Sequence, residues 1–133
     1  MEMNIKIIEF TSGIFSKPSQ LKNIQIISLT TGTDILINIF KAITESETYK
    51  FTPTANIIKF GLYKNKILLG KGEIDTTIHD IQKIKIIKEG SLKYENSKIT
   101  KESKDTSTEE SDILDFDLTI HCFPAKKKFV SLL

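Results

Sequence analysis

Residues 56–75 read Asn56-Ile-Ile-Lys-Phe-Gly-Leu-Tyr-Lys-Asn-Lys-Ile-Leu-Leu-Gly-Lys-Gly-Glu-Ile-Asp75. In the first half Ile58, Phe60 and Leu62 occupy alternate positions, and Ile57, Lys59, Gly61 and Tyr63 occupy the others. That period of two belongs to a β-strand, whose successive side chains point to opposite faces. A Lys64-Asn65-Lys66 turn follows, and Leu68 and Ile74 then bracket Gly70 and Gly72 in a second strand. Two glycines so placed predict a bulge or close backbone packing. The stretch is a β-hairpin and carries no reaction chemistry, because Gly70 and Gly72 lack the strand–loop–helix context and third glycine of a dinucleotide site.

The same reading extends outward in both directions. Ile5 to Phe10 is a short apolar run, and Thr11 to Ser19 a loop marked by Gly13 and Pro18. Ile24 to Leu29 and Asp34 to Phe40 flank a Thr30-Thr-Gly-Thr33 turn; in the second run Ile35, Ile37 and Ile39 share a face opposite Leu36, Asn38 and Phe40. Ala42 to Lys50 is polar enough for a loop or one helical turn, and Tyr49 to Phe51 forms a brief strand ended by Pro53. Asp75 to Gln82 reads as a short helical turn capped by Asp75, with Ile78 and Ile81 facing inward. Ile84 to Lys88 and Leu92 to Tyr94 are strand material around Glu89-Gly90. The clearest alternation is Ile113 to Phe123, where Leu114, Phe116, Leu118, Ile120 and Cys122 interleave with Asp115, Asp117, Thr119 and His121. That pattern is a half-buried strand with one wet face.

About seven or eight short strands with polar connections predict an all-β fold, an antiparallel β-sandwich. The 133 residues suffice for one core without disulfides or a structural metal. Residues 1–125 form that domain, residues 95–112 are a flexible polar loop too poor in apolar side chains to order themselves, and 126–133 are a basic tail or the start of a linker.

Composition narrows the function classes. There are 23 Ile against one Val, and all 19 basic residues are Lys. Both favoured residues have AT-rich codons, so codon bias explains part of the β-branched content; it does not choose which positions alternate. A net charge of +2 without Arg argues against a nucleic-acid partner, since the bidentate guanidinium is the commonest base reader. Cys122 is the only cysteine, which removes a disulfide framework and a Cys-rich metal site. Met1 to Lys6 lacks the pattern of a signal peptide, and the most apolar stretch, 23–40, is broken by polar residues as a hairpin is. The expectation is a soluble, intracellular, cytoplasmic domain without a cofactor.

Over 56–81 and 113–123 the chain resembles a C2 domain. The carriers are Asn56 to Tyr63, a short turn, Ile67-Leu-Leu-Gly-Lys-Gly-Glu-Ile-Asp-Thr-Thr-Ile78, and the alternating strand Leu114 to Cys122 where such a domain closes its sandwich. Calcium-binding members resemble one another in carrying several Asp on two loops at one end, because Ca²⁺ takes about six to eight oxygen ligands. Here the loop Thr11 to Ser19 has no acid, and Lys64 and Lys66 stand where the resemblance would place Asp. The resemblance therefore implies a calcium-independent, non-enzymatic module with protein partners. It further implies the amino-terminal domain of a cytoskeletal, centriolar or trafficking scaffold. The alternative is a peripheral domain that meets anionic membranes through its lysines.

Candidate contact residues follow from charge. Lys64, Lys66 and Lys71 crowd one turn and suit acidic partners or lipid headgroups. Lys126, Lys127 and Lys128 precede Phe129, Leu132 and Leu133, a basic–hydrophobic pattern. Thr106, Ser107 and Thr108 precede acids and suit an acid-directed kinase. His79 and His121 have no second ligand at metal spacing, and Cys122 falls on a buried face as an inert thiol. Asp115 and Asp117 share a face about 7 Å apart, a spacing two catalytic carboxylates can use, but on an exposed strand they serve solubility.

Overall fold

A computed structural model describes residues 1–13, 15, 17–89 and 116–125. It is an antiparallel β-sandwich. The strands are β1 (Met3–Ser12), β2 (Ile24–Ser28), β3 (Leu36–Asn38), β4 (Thr48–Phe51), β5 (Ile57–Lys64), β6 (Ile67–Asp75), β7 (Ile81–Ile84), β8 (Ile87–Lys88) and β9 (Phe116–Pro124). A 3₁₀ turn, Pro18–Leu21, precedes β2, and α1 (Ile39–Thr44) joins β3 to β4. One sheet has the order β4-β1-β9-β7, the other β3-β2-β5-β6-β8. The polar segment 95–112 and the basic stretch 126–133 lie outside the described residues.

Alternation decides what is buried. Ile58, Phe60 and Leu62 of β5 and Leu118, Ile120 and Cys122 of β9 are sealed between the sheets, at 1% exposure or less. Ile35, Ile37 and Ile39 are buried together, as their shared parity requires. The bulge expected in β6 lies where the pairing slips between Leu62–Gly70 and Tyr63–Leu68, leaving Leu69 as the extra residue. A second bulge in β1 separates Ile7 from Glu9 and turns Ile8 out to solvent.

Two expectations are corrected. The run Asp34 to Phe40 is strand only over Leu36–Asn38 and turns helical at Ile39. The helix pays no penalty in burial, because Ile39 and Ala42 fill the open side of the sandwich against β1 and β2. The capped helical turn at Asp75 to Gln82 does not form. Asp75 does cap a turn, its Oδ1 accepting from the Thr77 N–H and Oγ1–H at 2.9 and 2.6 Å. The chain then straightens into β7, Ile78 and Ile81 are exposed rather than buried, and Ile81 pairs with His121. The pairing energy of an edge on β9 outweighs a single turn, which has too few bonds to offset its nucleation.

After β7 the chain crosses from one sheet to the other through Lys85 and the fully buried Ile86, and β8 pairs with β6. Opposite this corner, α1 closes the other side. Among the described residues, each of the four edge strands is four residues or shorter, a length that leaves little free edge for non-specific pairing.

Tyr49 of β4 gives a pH signature. Its phenol donates to Glu47 Oε1 at 2.7 Å, and burial, then that neighbouring carboxylate, push its pKa up to about 12. An unfolded tyrosine ionises near about 10. The neutral phenol therefore contributes fully below pH 10, and the contribution is lost as pH rises through 10 toward 12. Titration of tyrosinate absorbance is expected to show a late step that Tyr49→Phe removes; a late step that persists in the variant assigns it elsewhere.

Candidate functional site

The lysines singled out by charge do not share one surface. Lys64 has the inward parity of β5 but lies at the end of the sandwich, where its Nζ donates to the carbonyls of Gln20 and Lys22 at 2.9 and 3.0 Å. The same ammonium stands 5.3 Å from the centre of the Phe15 ring. Both carbonyls belong to the 3₁₀ turn and its exit, and the chain offers its own cation to them. Lys64 is thus a tether between the β5–β6 hairpin and the β1–β2 loop, a second tie being Asn65 N–H to Asn23 O at 3.0 Å. Lys22 similarly lies 5.5 Å from the Phe40 ring, joining that loop to α1. The two loops compared above for calcium ligands do meet, and an ammonium occupies their junction.

Lys66 is exposed at the hairpin tip. Asn65 and Lys66 have φ of 52° and 68°, the left-handed pair of a two-residue hairpin turn. Lys at the second position is strained there, and Lys66→Gly is expected to stabilise the fold by about 1 kcal/mol. Urea denaturation checks this; an unchanged or lower midpoint denies the strain. Lys71 stands elsewhere, on the outer face of the five-stranded sheet, between Gly61 and Ile87 in the ladder. Lys126, Lys127 and Lys128, and Thr106, Ser107 and Thr108, lie outside the described residues.

That outer face is the surface the lysines did not reveal. Parity and register set Leu36, Ile27, Gly61, Lys71 and Ile87 in one row across all five strands. Leu36 is 56% exposed, Ile87 42% and Ile57, farther along β5, 40%. Ile27, Tyr63 and Leu68 are half-buried around them. Gly61 lies in the middle because a Cβ there would sit 2.7 Å from Tyr63 Cε1 and 2.9 Å from Leu68 Cδ1. The Tyr63 ring lies down over the glycine and flattens the centre of the face. An antiparallel sheet with one face on the core ordinarily presents polar side chains on the other.

The sequence holds a signal for this surface. Ile26-Ile27, Ile57-Ile58 and Ile86-Ile87 are adjacent pairs, and a strand must send one member of each pair outward. Ile26, Ile58 and Ile86 are buried, and Ile27, Ile57 and Ile87 face out from the same sheet. A fourth pair, Ile7-Ile8, sends Ile8 out on the other sheet at its bulge.

The end opposite Lys64 gathers the loops 29–35, 52–56 and 76–80. Thr33 Oγ1 and Thr54 Oγ1 lie 2.7 Å apart, and Thr54 Oγ1 donates to Thr31 O. Asp34, Asp75 and Asp80 belong to this end and were missed as a group, but among the described residues no three acid, His or Cys side chains gather closely enough to hold a metal. The two bonds from Thr77 hold the Asp75 carboxyl below its usual range. An open depression of about 500 Å³ between Met1, Pro53, Asn56, Thr77 and His79 is shallow. His121, with the proton on Nε2, donates to the His79 carbonyl at 3.0 Å and packs on Phe123, so the two histidines do meet, through backbone rather than through rings. Cys122 points the other way; burial pushes its thiol up to about 11. Asp117 accepts from Thr11 Oγ1 at 3.3 Å, while Asp115 lies outside the described residues.

No helix among the described residues is long and apolar enough to cross a membrane. No protein-family model matches the chain, and neither a curated protein nor a solved structure is significantly similar to it.

Proposed function

We propose that the chain is a C2-like β-sandwich acting without calcium as a non-enzymatic protein-interaction or assembly module. The observation that carries this reading is the apolar outer face of the five-stranded sheet. Exposed Leu36 and half-buried Ile27, Tyr63 and Leu68 adjoin around Gly61, with exposed Ile87 across Lys71 and exposed Ile57 beyond Lys59, and apolar outer surface of this kind marks docking surfaces on soluble domains. Two sheets that share eight principal strands, with the two-residue β8 as an addition, support the C2-like part. The Lys64 ammonium among the loop carbonyls supports independence from calcium, since it repels a second cation. A cytoskeletal, centriolar or trafficking scaffold is the setting in which such a face operates.

The test is affinity capture from the source cells with the wild-type chain and with Leu36→Asp/Ile57→Asp, both solvent-facing. Partners lost from the variant support the reading; an identical set of captured proteins overturns it. Flotation with anionic vesicles at low salt is the counter-test, and binding that survives the double variant but not Lys66→Glu/Lys71→Glu assigns the chain to membranes instead.

A further inference from the structure

We infer that the junction of the 3₁₀ turn with the β5–β6 hairpin is a binding site for a primary ammonium, and that Lys64 is its built-in ligand. The site lies apart from the apolar sheet face, and the inference stands whatever that face binds.

The first ground is the set of ligating groups. Gln20 O and Lys22 O converge on one Nζ at 2.9 and 3.0 Å, and the centre of the Phe15 ring lies 5.3 Å from it. A hydrogen bond from an ammonium is charge-assisted and roughly twice as strong as a neutral one. A cation within about 6 Å of a ring centre is further attracted by the quadrupole of the ring. These groups also select the ligand. Neither 11–23 nor 64–68 contains an Asp or Glu. Two carbonyls without a carboxylate fall far short of the about six to eight oxygens that Ca²⁺ takes. A primary ammonium fits, because its compact head carries several N–H donors for the carbonyls and its charge faces the ring.

The second ground is that the walls are held by bonds in which the Lys64 side chain has no part. Gln20 N–H donates to Lys17 O at 2.8 Å, and Gln20 Oε1 accepts from Lys17 N–H at 2.9 Å, which closes the 3₁₀ turn. Phe15 N–H donates to Ser12 Oγ at 3.3 Å, and the Phe15 ring stacks on Phe116 with centroids 6.0 Å apart. The bond from Asn65 N–H to Asn23 O and the Ile24–Lys64 pair of the ladder fasten the hairpin to the loop. Backbone and neighbouring rings therefore place every ligating group. Truncating Lys64 removes the occupant and leaves the site. In the wild-type chain the ligand is tethered beside its site, and the high effective concentration of a tethered group keeps external amines out.

Lys64→Ala with n-propylammonium tests the inference, because that ion is the fragment the substitution deletes. A site of two charge-assisted bonds is expected to bind it with a dissociation constant of roughly 10–100 mM. Urea denaturation is measured in n-propylammonium chloride and in tetramethylammonium chloride at equal concentration, the second cation having no N–H to donate. At about ten times the dissociation constant the folded-to-unfolded ratio of Lys64→Ala is expected to rise about tenfold in n-propylammonium over tetramethylammonium. The wild type is expected to show no such difference. Amide resonances of Gln20, Leu21 and Asn23 in the variant are expected to shift along saturating curves with n-propylammonium alone. Phe15→Leu in the Lys64→Ala background is expected to weaken the binding several-fold.

Equal stability of Lys64→Ala in the two salts overturns the inference, and so does an equal response in the wild type. Shifts spread over the whole domain overturn it too, since they report a solvent effect and no site. Should Lys64→Ala be unfolded without amine, folding in n-propylammonium but not in tetramethylammonium supports the site, and a chain unfolded in both overturns it.

Discussion

Phe60→Ala is expected to lower the unfolding free energy by about 3–5 kcal/mol, the range for truncating a fully buried aromatic ring. Phe60 has no exposed surface and occupies the middle of β5, between Ser28 of β2 and Gly72 of β6. Removing the ring leaves a void between two sheets held apart by strands that cannot close over it. Domains of this kind unfold at about 5–15 kcal/mol in total, so the loss is a large share of the stability. Urea denaturation is the measurement, with the midpoint falling and the slope unchanged. A loss below about 1 kcal/mol is what an exposed ring gives, and it is incompatible with a sealed Phe60.

Gly72→Ala is expected to cost about 2–3 kcal/mol, through overpacking rather than a void. A Cβ at Gly72 meets Phe60 Cζ at 2.7 Å, Ile84 Cγ2 at 3.0 Å and the Lys85 carbonyl oxygen at 3.1 Å. The last contact is backbone, at the point where the chain leaves β7 and crosses to the other sheet. Neither the ring nor the crossing yields cheaply. The glycine is there because two layers converge on it, and its φ plays no part. The two positions are coupled: in a Phe60→Leu background the ring atom that obstructs the new methyl is gone. Gly72→Ala is then expected to cost at least about 1 kcal/mol less than in the wild type, a non-additivity typical of residues in contact. Equal costs in the two backgrounds place the strain on Ile84 and Lys85.

Much of the fold was legible because burial alternates locally. Ile58, Phe60 and Leu62, and Phe116, Leu118, Ile120 and Cys122, declare their inward faces by parity, and each is buried as read, whereas Thr119, read on the wet face, is buried as well. The bulge announced by Gly70 and Gly72 is also present. The failures share a cause. Ile78 and Ile81 have helical spacing, yet the pairing of Ile81 with His121 across 40 positions took the segment into a strand. Phe40 alternates with Leu36 and Asn38, yet the need to cover the side of the sandwich turned the chain into α1. In each case a contact remote in sequence outweighed a weak local preference.

The candidate site was legible only in part. Three lysines near one turn looked alike in sequence. Only the approach of the 3₁₀ turn's carbonyls separates Lys64, a tether, from Lys66 and Lys71. The adjacent Ile pairs already required apolar side chains on outer faces.

The sequence by itself determined the β class, the inward face of the principal strands and the absence of acids from the loop Thr11 to Ser19. All three depend on a backbone whose side chains alternate and on charges fixed by residue type. Tertiary structure alone decided that Ile27, Ile57 and Ile87 share one sheet, that Lys71 stands in one row with Gly61 and Ile87, and that Gly72 is pinned beneath the crossing at Lys85. Those facts depend on which strands are neighbours and in what register, and hydrogen bonds between distant segments set both. A local pattern carries no record of them.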